Sequence, residues 1–181
     1  MDNYFKGLEK KNILVVAAAG NSGTSDYNYP ASYESVISVA SISSKKVRSK
    51  FSQHNDQIEL SAPGISILST VPGNKYATKE GTSMAAPYVA GTAALLRMFY
   101  PKCTSTQIRK ALAYTAMDLG SNGCDTKTGF GLVQAYDAFK LLKNTKCGSL
   151  EGTPTGGCYS IKKKSKTNNN KSKSKNTKVR Q

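Results

Sequence analysis

Two short blocks of this chain carry residue types suited to acyl-transfer chemistry. Ala18-Ala19-Gly20-Asn21-Ser22-Gly23 runs from an apolar stretch into an asparagine, and Gly81-Thr82-Ser83-Met84-Ala85-Ala86-Pro87 runs from a glycine turn into a serine ahead of alanine-rich sequence. A serine hydroxyl is a weak nucleophile until it is positioned and deprotonated. A serine at a helix start lies among free backbone N–H groups, which favour negative charge developing on a carbonyl oxygen. Each block also has a plainer reading. Ser83 could be a helix N-cap, and Asn21-Ser22-Gly23 could be ordinary turn chemistry. Taken together, in this order and in these contexts, the two blocks favour the chemical reading.

The elements that must position these residues can be read from the apolar pattern. Ile13–Ala19 is a continuous apolar run, as expected of a strand covered on both faces in a parallel sheet. Residues 36–40, 57–61 and 65–68 are further strand candidates, the last two separated by Ala62-Pro63-Gly64. Residues 3–11 resemble a short charged helix that starts abruptly. Residues 83–99 are small and apolar on nearly every face, which predicts a central, buried helix. Thr104-Ser105-Thr106-Gln107 has the form of a capping box and opens a helix to about Ala116. Leu132–Leu142 is a third helix, following Gly129-Phe130-Gly131.

The blocks and their surroundings resemble subtilisin-like serine proteases, the resemblance covering roughly residues 3–142. It is carried by the Asn21 segment, by Tyr29-Pro30-Ala31-Ser32-Tyr33 with Val36-Ile37-Ser38-Val39, and by Phe51-Ser52 with Glu59-Leu60-Ser61-Ala62-Pro63-Gly64. The most specific block is Tyr76 with Gly81-Thr82-Ser83-Met84-Ala85-Ala86-Pro87-Tyr88-Val89-Ala90-Gly91, and Gly129-Phe130-Gly131-Leu132-Val133 closes the set. The family usually has histidine where Tyr88 stands, at a position outside its triad. The resemblance implies an α/β fold of three layers, a parallel sheet flanked by helices, incomplete at its N-terminal side. It implies a serine endopeptidase of polypeptide substrates. Ser83 would attack the scissile carbonyl, and the Ser83 N–H and the Asn21 amide would bind the oxyanion. Ala19 and Gly20 would wall the pocket for the substrate residue before the cut. Tyr29-Pro30 resembles a cis-proline position. The chemistry would require no cofactor. A structural calcium is conceivable in a full domain, because the segment around Ala31, Tyr33, Val36 and Glu59 resembles a weak cation site of some subtilisins, although plain turn carbonyls explain it better.

The triad aspartate and histidine motifs of that family are not found in these residues. Asp125-Thr126-Lys127-Thr128-Gly129 follows the serine and is not an Asp-Thr-Gly turn. The one histidine, His54, lies in Ser52-Gln53-His54-Asn55-Asp56, which predicts a solvated loop residue. The chain as given is thus expected to be nearly inert alone, with Met1 read as an internal methionine of a longer gene. The alternatives are a non-catalytic protease-like binding module and one half of a split protease.

The composition adds bounds. The formal charge is +15, but residues 161–181 hold nine Lys/Arg and no acid, while the remainder holds 17 basic and 11 acidic side chains. With the resemblance, residues 1–145 are read as the C-terminal portion of a subtilisin-like peptidase domain and 146–160 as a small cysteine-containing extension, while the composition reads 161–181 as a disordered basic tail. The charge of that tail suits polyanions, although it has no interleaved aromatic residue to stack bases. Cys103, Cys124, Cys147 and Cys158 fit two disulfides better than a metal site. Cys103–Cys124 and Cys147–Cys158 are the favoured pairings. No run is long enough to span a bilayer. No signal peptide is visible, yet the resemblance implies a secreted protein. Nothing in the sequence indicates an oligomer.

Overall fold

The structure, a computed structural model, describes residues 1–148, 150 and 155–158. Its centre is a parallel sheet of three strands, β1 (Val15–Ala18), β2 (Val36–Ile42) and β3 (Ile58–Pro63), in the order β1-β2-β3. Every residue of β2 is buried, as an apolar central strand requires. Strand β4 (Ile67–Val71) pairs antiparallel with β5 (Lys75–Lys79) as a separate hairpin. The alternation in β5, Lys75-Tyr76-Ala77-Thr78-Lys79, has too little apolar content to stand out from the sequence.

Helix α1 (Asp2–Lys10) precedes the sheet. Helix α2 (Thr82–Phe99) packs across all three strands, with Ala85, Val89, Ala93 and Leu96 buried against Ile37, Val39, Leu60 and Ala62. Helices α3 (Ser105–Tyr114) and α4 (Ala135–Thr145) close this core with Ile108, Leu112, Ala138 and Leu142. Each fully buried leucine contributes about 1.5–3 kcal/mol by leaving water. The expected capping box is present at Thr104: its hydroxyl accepts from Gln107 N, and Thr104 N donates to Gln107 Oε1 at 2.7 Å. Helix α4 starts three residues later than the pattern suggests. Leu132 is held in extended backbone by bridges to Ser61 and Met117.

The expectation of a central, buried α2 holds for one face only. One flank of the helix is open, with Tyr88, Leu95 and Met98 exposed by 44%, 47% and 67%. The open edge of β1 lies beside that flank, and Leu14, Val16, Ala90, Ala94 and Arg97 line a groove between them.

The disulfide pairings also differ from expectation: Cys103 bonds Cys147, and Cys124 bonds Cys158. Helices α3 and α4 pack together, so the end of α4 returns to the start of α3, where Gln107 Nε2 donates to Cys147 O at 2.6 Å. Sequence spacing carries no information about that return. Residues 155–158 of the expected extension lie against β3, with Gly156 N donating to Glu59 Oε2 at 3.1 Å. The basic tail falls outside the described residues.

Behind the sheet, Arg109 and Glu59 form a buried ion pair. Arg109 Nε donates to Glu59 Oε1 at 2.8 Å and Nη2 to Oε2 at 2.5 Å. Nη2 also donates to the carbonyls of Glu34 and Val36. Burial pulls the Arg109 pKa down more than any single partner raises it. The charge and hydrogen bonds of Glu59, with Glu9 and Glu34 adding, together hold it above the ordinary arginine value. Arg109→Met would leave the Glu59 carboxylate buried without its cation. The expected loss is about 3–5 kcal/mol of unfolding free energy in urea titrations, whereas replacing both partners by apolar residues should cost much less. Peptide mapping under non-reducing conditions should recover Cys103 linked to Cys147 and Cys124 linked to Cys158.

Candidate active site

The carboxyl end of β1 and the amino end of α2 meet at one place. β1 ends at Ala18, and Ala19 stays in register by donating its N–H to Val39 O at 3.0 Å. Gly20 then turns with φ +115°. A side chain there would lie 2.9 Å from Asn28 Nδ2 and 3.0 Å from Gln53 Cδ, so only glycine fits the turn. Gln53 fixes the turn from the other side: its N–H donates to Gly20 O at 2.9 Å and its Oε1 accepts from Ser22 N at 2.7 Å. The peptide bond between Tyr29 and Pro30 is cis, as anticipated.

The turn presents Asn21 to the start of α2. Asn21 Oδ1 accepts from Thr82 N and from Thr82 Oγ1, both at 2.9 Å. The same Thr82 hydroxyl accepts from Gly20 N at 3.1 Å. With its oxygen doubly engaged, the asparagine must direct its Nδ2 the other way. Nδ2 lies 3.3 Å from where a Cβ of Gly81 would stand, and Gly81 itself has φ +147°. Gly81 is thus suited twice over, by its backbone conformation and by the closeness of the amide.

Ser83 is the second residue of α2, whose N-cap is Gly81. Its N–H belongs to the first helical turn and has no partner within the helix. Its side chain is exposed, and no hydrogen bond ties the hydroxyl among the described residues. Beside it lies a cavity of about 290 Å³ lined by Ile67, Leu68, Ser69, Met84, Pro87 and Tyr88. One helix terminus thus brings together the Ser83 hydroxyl and N–H and the oriented side-chain amide of Asn21.

Asn21 and Ser83, singled out from the sequence, are brought together, with Thr82 between them. Ala19 is buried and Gly20 adjoins Asn21 with both of its backbone polar groups engaged. Sequence reasoning assigned no role to Thr82 or Gln53. Thr82 stood inside the quoted serine block, but its fully buried side chain and its bond to a residue 61 positions away are visible only in the fold. His54 is half-buried rather than solvated: its N–H donates to Thr24 O, and Nδ1 is enclosed without a partner among the described residues. It is not among the side chains lining the cavity at Ser83.

The segment that resembles a weak cation site, around Ala31, Tyr33, Val36 and Glu59, carries hydrogen bonds of its own. Tyr33 O accepts from Val36 N, Val36 O accepts from Arg109, and both Glu59 oxygens are bonded to the guanidinium. Among the described residues, no cluster of three His, Cys, Asp or Glu could hold a metal.

Thr82→Val removes the hydroxyl at nearly constant shape and leaves Gly20 N without its acceptor. The expected cost is about 1–3 kcal/mol in urea unfolding, with Thr82→Ser retaining most of the stability.

The profile of the Subtilase family (peptidase S8) matches residues 1–131. The chain is 47% identical over 123 residues to the thermostable alkaline protease of Halalkalibacterium halodurans, covering 68% of this chain and 33% of that protein. It is 44% identical over 138 residues to subtilisin BL of Lederbergia lenta, covering 76% of this chain and 50% of that protein. Among solved structures, the psychrophilic subtilisin-like protease Apa1 of the Antarctic psychrotroph Pseudoalteromonas sp. AS-11 superposes with TM-score 0.77 at 23% identity, over 82% of this chain and 68% of that one. That likeness shows the fold. The chain spans between a third and a half of the length of these two sequence relatives. By its profile match, its relatives and its fold, the chain belongs to the subtilase family of serine proteases.

Proposed function

We propose that this chain is the nucleophile-bearing part of a subtilisin-like serine endopeptidase, acting on polypeptides through an acyl-enzyme on Ser83. The observation that carries the reading is the double anchoring of Asn21 Oδ1 by Thr82, which turns the amide Nδ2 away from Thr82 beside the helix terminus that bears Ser83. Ser83 Oγ would add to the scissile carbonyl, and its proton would pass to a general base. The oxyanion would accept from the Ser83 N–H and from Asn21 Nδ2. Collapse of the adduct would expel the amine with a proton returned by that base, and water would then release the acyl group. The strand end at Ala19-Gly20 would border the substrate residue before the cut.

The general base and the carboxylate that orients it would come from subtilase sequence outside residues 1–181. The open edge of β1 and the uncovered flank of α2 are apolar surface suited to more of the same sheet and its helices. A second reading, a protease-like binding module, is favoured by one observation, the lack of an imidazole among the residues lining the cavity at Ser83. Two disulfides suit an oxidising, extracellular setting. Among the described residues, no helix is long and apolar enough to cross a membrane.

Casein hydrolysis by residues 1–181 and by the product of any longer reading frame containing them tests this proposal. The short chain is expected near background. Loss of the triad histidine alone costs on the order of a million-fold in kcat, a magnitude known for this family rather than one obtained from these distances. The longer product should be active and should lose activity with Ser83→Ala. In it, Asn21→Leu should lower kcat by roughly 10²–10³, again the known cost of one oxyanion donor in this family. Full activity of the short chain, or activity surviving Ser83→Ala, would overturn the reading. An in-frame stop just upstream together with an inert protein would favour the binding module.

A further inference from the structure

At the opposite end of α2 from Ser83, the carboxyl ends of α2 and α4 enclose a pocket of about 330 Å³. Its apolar wall is made by Phe99, Tyr100 and Pro101 from the end of α2 and by Leu142 from α4. Fixed contacts hold the wall in shape. The Phe139 ring meets Phe99 edge-on at 5.3 Å and Tyr100 at 5.5 Å. The Tyr100 hydroxyl donates to Phe139 O at 3.2 Å, and the disulfide between Cys103 and Cys147 joins the segments that follow the two helices. Phe99 nevertheless leaves 54% of its surface in water. The volume lies at the lower end of the roughly 300–1,000 Å³ range of small-molecule sites.

Three lysines, Lys102, Lys143 and Lys146, complete the lining, and all three are exposed. None of their ammonium groups has an ion-pair or hydrogen-bond partner among the described residues. No carboxylate lines the pocket, and the one acid of α4, Asp137, pairs with Lys140 at 2.9 Å from the first turn of the helix. The two helix ends bring roughly half a negative charge each, which three ammonium groups exceed, leaving about +2 at the rim. The side chains of the wall offer nothing to a peptide. The Tyr100 hydroxyl is donated, the Cys147 sulfur is in its disulfide, and Cys147 O already accepts from Gln107. A peptide in the pocket would bring N–H and C=O groups that stay unpaired. An alkyl chain brings none, and its burial against rings and proline is favourable through the area it removes from water. An acidic head on that chain would reach the uncommitted lysines as charge-assisted hydrogen bonds.

We infer that this pocket binds a single-chain alkyl carboxylate, its chain against Phe99, Tyr100, Pro101 and Leu142 and its head among Lys102, Lys143 and Lys146. The site is independent of Ser83 and of the proposed hydrolysis. Calorimetric titration of the full chain with hexanoate, octanoate and decanoate, each below its micelle concentration, tests it. One molecule should bind per chain, and each added methylene should tighten binding roughly three- to fourfold while the pocket has room. Raising salt from about 50 to about 300 mM should weaken decanoate severalfold and leave decanol unchanged, since only the first carries a charge to screen. Lys102→Gln with Lys143→Gln should weaken decanoate at least tenfold, with decanol binding, circular dichroism and melting temperature unchanged. The assignment is overturned by any of four results: no binding, affinity independent of chain length, decyltrimethylammonium binding as tightly as decanoate, or a double variant that binds as tightly as the parent. Adsorption to phosphatidylserine vesicles that decanoate does not displace would also overturn it and mark this face as a membrane contact.

Discussion

One side-chain oxygen ties the two halves of the site together. Asn21 Oδ1 takes both donors of Thr82, and the Thr82 hydroxyl takes the N–H of Gly20. The carboxyl end of a strand and the amino end of a helix are thereby joined through a threonine that is fully buried. An amide free to rotate would present oxygen or nitrogen with similar ease, and an oxygen facing a developing oxyanion would repel it. The lock engages the oxygen and leaves the nitrogen, and under the proposed function that is preorganisation of the amide for an oxyanion. Glycine at 20 and at 81 suits the lock, because both have positive φ and a side chain would crowd Asn28 and Gln53 at the first position and the Asn21 amide at the second.

The rest of the fold keeps those two ends in place. Helix α2 lies on all three parallel strands, so the direction of its N-terminus is set by the sheet that also ends at Asn21. On the far side of the core, Arg109 binds Glu59 of β3 and the carbonyls of Glu34 and Val36, which lie just ahead of and at the start of β2. One side chain of α3 therefore clamps the connection that runs from Asn21 through the cis Tyr29–Pro30 bond into β2. Such a pair gains little over an apolar alternative, yet it leaves the connection a single place to settle.

The strands and helices were readable because their signals are local. Ile13–Ala19 is apolar without a break, Thr104-Ser105-Thr106-Gln107 is a capping box, and Gly81-Thr82-Ser83 is a turn at a helix start. Asn21 and Ser83 were readable as a pair through family resemblance. Four things were not. The partner of each cysteine depends on how α3 and α4 pack. The roles of Thr82 and Gln53 depend on contacts across the core. The open flank of α2 depends on what surrounds the helix, and its composition is the same whether that flank is covered or bare. The hairpin strand β5 is nearly all polar, so its pairing to β4 leaves no apolar rhythm.

The lock at Asn21 spans 61 residues and the Arg109–Glu59 pair spans 50. The strands of the sheet, being parallel, cannot zip from a tight hairpin either. A chain whose decisive contacts are so distant in sequence pays its loop entropy before the contacts form, and it folds slowly. Throughout that interval β1 shows a bare edge and α2 a bare apolar flank, the surfaces through which unfinished chains find one another. The geometry that orients the Asn21 amide thus also sets a kinetic hazard during biogenesis, where dilution, low temperature or an early-binding companion would raise the yield of folded protein.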